Sequence, residues 1–173
     1  MKLSTAEMLS LWRLRRQLEP LRSDCVVSRI DGIDTTELLQ QEIDDWYESL
    51  LDTAPIEMLV VTDITQQVAL NINNDGMATV ILPERCRRVV EVMVKEWEQP
   101  ATLTSPDSAL AIRQTNTFSR AGKSHPVAIK DQRTLRIYGV DSQSQLSRLL
   151  CVMQPDDGFY EFTKRALSTI PQP

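Results

Sequence analysis

The sequence predicts an α+β fold: an N-terminal helical hairpin, a mainly antiparallel β-sheet module of about six strands, and a short C-terminal helix. Three observations carry this. Apolar residues recur at helical spacing through residue 53, the period drops to two from residue 66 onward, and Pro155-Asp156-Asp157-Gly158 sets off a last amphipathic stretch. The expected divisions are 1–65 for the helices, 66–154 for the sheet module and 155–173 for the terminal helix and tail, folded as one unit.

Ser4 followed by Glu7 is a capping-box pattern, and Met8, Leu9, Trp12 and Leu18 then recur at helical spacing until Pro20, predicting a helix from about Thr5 to Glu19. Asp34 with Glu37 repeats the capping logic. Leu38, Leu39, Ile43, Trp46, Tyr47, Leu50 and Leu51 form a broad apolar stripe opposite Gln40, Gln41, Asp44, Asp45 and Glu48, and Pro55 stops this second helix near Thr53. The intervening Leu21 to Ile33, with Asp31-Gly32, reads as a loop long enough to fold the helices back on each other.

Val68, Leu70 and Ile72 alternate up to Asn73-Asn74-Asp75-Gly76, a tight-turn signal, and Ala78, Val80 and Leu82 alternate beyond it, predicting a hairpin. Val90, Val92 and Val94 run toward Trp97 as a third strand ending before Pro100. Ser105-Pro106 reads as a cap and first-turn proline for a short helix from Asp107 to Arg113. Pro126 to Lys130 and Thr134 to Val140 flank Asp131-Gln132-Arg133 as a second hairpin, and Leu146 to Met153 as a closing strand. Phe159, Phe162, Ala166 and Leu167 predict the final helix.

The 173 residues carry 19 basic and 24 acidic side chains, a net charge of −5, which argues against a protein that grips nucleic acid over its whole surface. The charge is unevenly placed. Residues 1–65 hold six basic and thirteen acidic residues, whereas 66–173 hold thirteen and eleven. From Arg113 to Arg136 there are six basic residues (Arg113, Arg120, Lys123, Lys130, Arg133, Arg136) against the single Asp131.

Chemistry-bearing motifs are few. Cys25, Cys86 and Cys151 are widely spaced with one histidine, His125, so neither a disulfide framework nor a zinc site is expected, and a reducing cytoplasm suits them. Cys86, between arginines at 85, 87 and 88, is weighed as a reactive thiol and read as a structural one. Asp44-Asp45 are adjacent on a helix and so diverge by about 100°, which suits a solvated or partner-facing surface better than a carboxylate pair. No phosphate-cradling glycine loop, nucleophile elbow or zinc-protease motif is present, no secretion signal or span of about 20 apolar residues is seen, and neither catalysis nor a cofactor is expected.

What remains is Arg113 to Pro126, fourteen polar and basic residues with little core-forming pattern around Phe118. Such insertions in compact modules are binding loops or connections, and an aromatic among cations suits docking. Set against the acidic helix, it suggests head-to-tail contact between copies, with Asp44, Asp45, Arg113, Phe118, Arg120, Lys123, Arg133 and Arg136 as interface candidates.

Beyond these readings, an ordered set of segments stands out: Asp44-Asp45-Trp46-Tyr47-Glu48-Ser49-Leu50-Leu51-Asp52-Thr53-Ala54-Pro55, then Ile81-Leu82-Pro83-Glu84-Arg85-Cys86-Arg87-Arg88-Val89-Val90, then Trp97-Glu98-Gln99-Pro100, then Asn116 through Arg120-Ala121-Gly122 to Pro126-Val127-Ala128. Over roughly residues 35 to 140 this resembles the head-to-tail connector, or neck ring, proteins of tailed bacteriophages, particularly crAss-like and related phages of gut Bacteroidales. The resemblance implies a structural virion protein, roughly twelve copies in a ring, with portal protein, other neck or tail proteins and passing genomic DNA as partners and no membrane. It implies assembly in the host cytoplasm and residence in the virion neck. Trp46, Tyr47, Pro83, Trp97, Pro100, Asn116, Arg120, Gly122 and Pro126 would be fold-defining or contact-making. The alternative is a non-ring adaptor whose sheet module binds a protein partner.

Overall fold

In a computed structural model the described residues are 1–16, 35–73 and 76–171. The fold is α+β and divides into two compact units: Met1–Val60 with Gln154–Pro173, and Val61–Met153. Cys25, Pro20, the Leu21–Ile33 loop, the Asp34 cap and the Asn74-Asp75 turn step lie outside the described residues.

The first unit opens on a strand. β1 (Lys2–Ser4) pairs antiparallel with β10 (Phe159–Glu161), Lys2 opposite Glu161. Helix α1 (Thr5–Arg15) follows at once, and the capping box is formed: Ser4 Oγ accepts from the Glu7 amide, and the Ser4 amide donates to Glu7 Oε2 at 2.8 Å. That bond holds the Glu7 carboxyl below its usual range. Helix α2 (Thr35–Thr53) buries Ile43, Tyr47, Leu50 and Leu51, while Leu38, at one end of the predicted stripe, stays exposed. An aromatic cluster forms the core, with Trp12 edge-on to Trp46 at 5.4 Å, Trp46 edge-on to Phe162 at 5.5 Å and Tyr47 edge-on to Tyr160 at 5.1 Å. Each such pair contributes about 0.5–1.5 kcal/mol beyond its burial. The Tyr47 hydroxyl bridges the backbone of Glu161, donating to its carbonyl and accepting from its amide.

A helical hairpin alone is therefore too simple. Three-residue β1 is too short for a period to register, and its partner β10 is distant in sequence, where the final helix was expected. In place of that helix are β10 and a 3-10 segment, Lys164–Thr169, which seats Ala166 and carries Phe162 at its entrance into the aromatic core.

The second unit is built of two sheets. In chain order its strands are β2 (Val61–Asp63), β3 (Asn71–Ile72), β4 (Met77–Ile81), β5 (Cys86–Val94), β6 (Thr102–Thr104), β7 (Val127–Asp131), β8 (Thr134–Tyr138) and β9 (Leu146–Met153). One sheet runs β2-β9-β5 and the other β3-β4-β8-β7-β6. Ten strands in three sheets across the described residues replace the expected six, because strands of two or three residues leave no legible alternation. One pairing is parallel, β6 with β7, the rest antiparallel.

Alternation then sorts the side chains. Ala78, Val80, Leu135, Ile137 and Ala128 of the larger sheet share one core with Val92, Val94, Leu149 and Cys151 of the smaller. The opposite face of the larger sheet is covered near Val127, Ile129 and Tyr138 by helix α3 (Ala109–Arg113) through Ala111 and Leu110. This helix starts later than Asp107. Its cap is Ser108, whose Oγ accepts from the Ala111 amide at 3.0 Å, while Ser105-Pro106 belongs to the preceding turn.

Candidate docking loop

Helix α3 leads into Arg113–Pro126, and the loop is pinned throughout. Gln114, 2% exposed, is its centre: the side-chain amide donates to the Leu110 carbonyl at 3.0 Å and its oxygen accepts from the Ala121 amide at 2.8 Å. A buried amide with both ends paired joins the helix to the loop's return limb. Asn116 Oδ1 accepts from the Phe118 amide at 3.0 Å and initiates a 3-10 turn, Thr117–Ser119, while Ser119 Oγ donates to the Arg113 carbonyl at 2.8 Å. Arg120 Nε donates to the Gln114 carbonyl at 2.9 Å.

The return limb rests on neighbouring backbone. A Cβ placed on Gly139 would stand 2.7 Å from the Gly122 carbonyl oxygen, so only glycine permits this approach, and its φ of +92° also favours glycine. Trp97 Nε1 donates to the Gly139 carbonyl at 2.7 Å from the other side. Lys123 Nζ lies 2.6 Å from Asp141 Oδ2; that bond raises the lysine's pKa and lowers the aspartate's. Gln99 Nε2 donates to the Ser124 carbonyl at 2.6 Å and faces His125 Nδ1 at 3.0 Å, so the lone histidine sits in an exposed polar setting.

The ring of Phe118 is fully exposed, and Arg113 and Ile112 at the end of α3 are exposed as well, the latter 62%. The candidate cations thus separate into three kinds. Arg120 braces the loop from within, and Lys123 ties it to Asp141. Arg113 accompanies Phe118 at the surface. Arg133 lies in the β7–β8 turn at the far end of β7, about 13 Å along the strand from where the loop ends, and Arg136 lies within β8 opposite Ile129; Arg136 pairs with Asp131 at 3.1 Å and Arg133 Nε meets the Leu82 carbonyl at 3.4 Å.

The two acidic candidates also part company. Asp44 accepts from the Tyr160 hydroxyl at 2.5 Å and from Gln40 Nε2 at 3.0 Å, so it is committed to its own unit. Burial first, and this bonded carboxylate second, push the Tyr160 hydroxyl up to about 12. Asp45 is exposed on a different side of α2. Cys86 and Cys151 are buried free thiols on the paired strands β5 and β9; the neighbouring Cys151 thiol lowers Cys86, and Cys86 together with burial raises Cys151. Among the described residues no group of three or more His, Cys, Asp or Glu side chains is placed to hold a metal ion, and no helix is long and apolar enough to cross a membrane.

Gln114, Gln99, Gly139 and Asp141 were not singled out from sequence. A glutamine between a short helix and a polar loop gives no signal of burial; the one available hint was the glycine at 139 near the end of the alternating run Thr134 to Val140. Phe118 was legible as an aromatic among cations. No protein family's sequence profile matches the chain, and no curated protein matches it significantly.

Proposed function

We propose that this chain is a structural subunit of a phage head-tail connector ring, working by docking against copies of itself and against portal and tail partners. The observation that carries this reading is the Arg113–Pro126 loop: polar inside, fixed by its own hydrogen bonds, and ending in a solvent-facing phenylalanine. A loop ordered at that cost with its one large apolar group outside is arranged for contact with another macromolecule. The uneven charge and the ordered segments that resemble those of neck ring proteins support the same reading, and in a ring of this kind genomic DNA would pass without sequence-specific contact.

The test is mass. Light scattering on the purified chain, alone and mixed with portal protein, is expected to show closed high-order oligomers near twelve copies. Small oligomers would favour an adaptor that binds one protein partner, and a chain that stays monomeric with portal present overturns the ring.

A further inference from the structure

The first unit carries an apolar groove of about 340 Å³ lined by Trp46, Leu50, Ala54, Pro55 and Met58, with Ser49, Thr53 and Thr169 at its rim. The Trp46 indole N–H is already satisfied by Thr169 Oγ1 at 3.2 Å, so the ring offers an apolar surface with no polar demand. Asp45 lies four residues before Ser49 and Asp52 three after it, placing two carboxylates along one side of the groove. Glu57, next to Met58 in the chain, is paired with Arg165.

We infer that this groove is the socket for the loop tip of a neighbouring copy, with Phe118 entering against Trp46 and Met58 and Arg113 meeting Asp45. The inference rests on the ring reading and names its contact. A space of about 150 Å³ already accommodates a benzene ring, so this groove of about 340 Å³ admits a phenylalanine side chain. The charges correspond: the loop tip presents a cation, and the groove's open side presents carboxylates. The apolar parts also correspond, since the exposed Phe118 needs cover and the groove needs filling. Because the tip is held by Gln114, Asn116 and Ser119, docking orders little new backbone. Arg120 and Lys123 take no part in the contact; replacing both by glutamate would disturb the loop itself.

The test places benzoylphenylalanine at position 118 and irradiates the assembled oligomer, formed by the chain alone or with portal protein. Adducts are expected between copies, joining position 118 to a peptide within residues 46–58. Phe118→Ala, which removes only an exposed ring, should leave melting unchanged and weaken self-association by about tenfold or more. Arg113→Glu should weaken it too, and adding Asp45→Arg should restore it. Oligomers with adducts elsewhere, or unchanged by Phe118→Ala, overturn this contact and leave the ring reading standing. A chain monomeric under both conditions overturns both.

Discussion

Gly139→Ala is the sharpest perturbation of the loop, and its magnitude follows from two separable terms. At φ +92° a side chain is strained, costing about 1–2 kcal/mol. The new Cβ would then stand 2.7 Å from the oxygen and 2.9 Å from the carbon of the Gly122 carbonyl, which is backbone and cannot rotate away. Relieving such overpacking costs about 1–3 kcal/mol more, for a total of about 2–5 kcal/mol. Two other glycines serve as references, one with the strain alone and one with neither term. Gly158 has φ +80° with its nearest neighbour at 3.8 Å, so Gly158→Ala should show only the strain, about 1–2 kcal/mol. Gly122, on the opposite side of the tight contact, has no atom within 4 Å of a Cβ and no positive φ, so Gly122→Ala should fall within about 0.5 kcal/mol of neutral or slightly stabilise. Urea unfolding of the three variants gives the ranking. Hydrogen exchange at the Ala121 amide and the Trp97 indole resonance report whether the loop lifts off. If Gly139→Ala costs no more than Gly158→Ala and leaves both local signals in place, the close approach of loop and strand is wrong.

Burial and Asp44 push the Tyr160 phenol from its ordinary 10.0 to about 12, and burial also raises Tyr47. A raised folded-state value means stability fully present below pH 10 and lost as pH rises through the folded value, so the first unit should weaken at alkaline pH, with phenolate appearing late in a spectrophotometric titration. Tyr160→Phe should flatten part of that decline; an ordinary titration of all tyrosines would refute the burial argument. Gln114→Ala leaves the Ala121 amide and Leu110 carbonyl without their partner and should cost about 1–3 kcal/mol, seen as faster exchange at Ala121 with the rest of the sheet protected. Cys86 and Cys151 should react with a thiol reagent only at the rate at which the second unit opens, which denaturant-dependent labelling measures; rapid labelling in water would place them at the surface.

What could be read from the chain depended on how much sequence each feature spans. Helix α2 and strands β4, β5, β8 and β9 are five residues or longer and bury alternate or helically spaced apolar groups, so their periods were visible. β1, β2, β6 and β10 have three residues each and exist through their partners, which no local period records. Val68 and Leu70 show the limit of pattern reading: they pack against the core as expected of a strand, yet β3 comprises only Asn71 and Ile72. The site divided in the same way. Charge and an isolated aromatic pointed to Arg113–Pro126, but which cations brace the loop and which face outward depends on carbonyls and carboxylates at Gln114, Leu82, Asp131 and Asp141 that only folding brings near.

The energetics also assign the loop tip its share of the work. Burying one phenylalanine contributes about 1.5–3 kcal/mol and an exposed ion pair up to about 1 kcal/mol, whereas association in solution costs about 4–15 kcal/mol in lost freedom. A single tip in a single groove therefore cannot hold two copies together. Repeated around the proposed closed ring, the same contact would be worth far more, because closure makes the last association intramolecular. The loop's rigidity matters for the same reason: a mobile tip would spend its small surplus on ordering itself, while one braced by Gln114, Arg120 and the Lys123–Asp141 pair keeps it for register. In the proposed ring Phe118 and Arg113 would therefore select which face of the neighbour is met, and a wider subunit interface would have to supply the affinity.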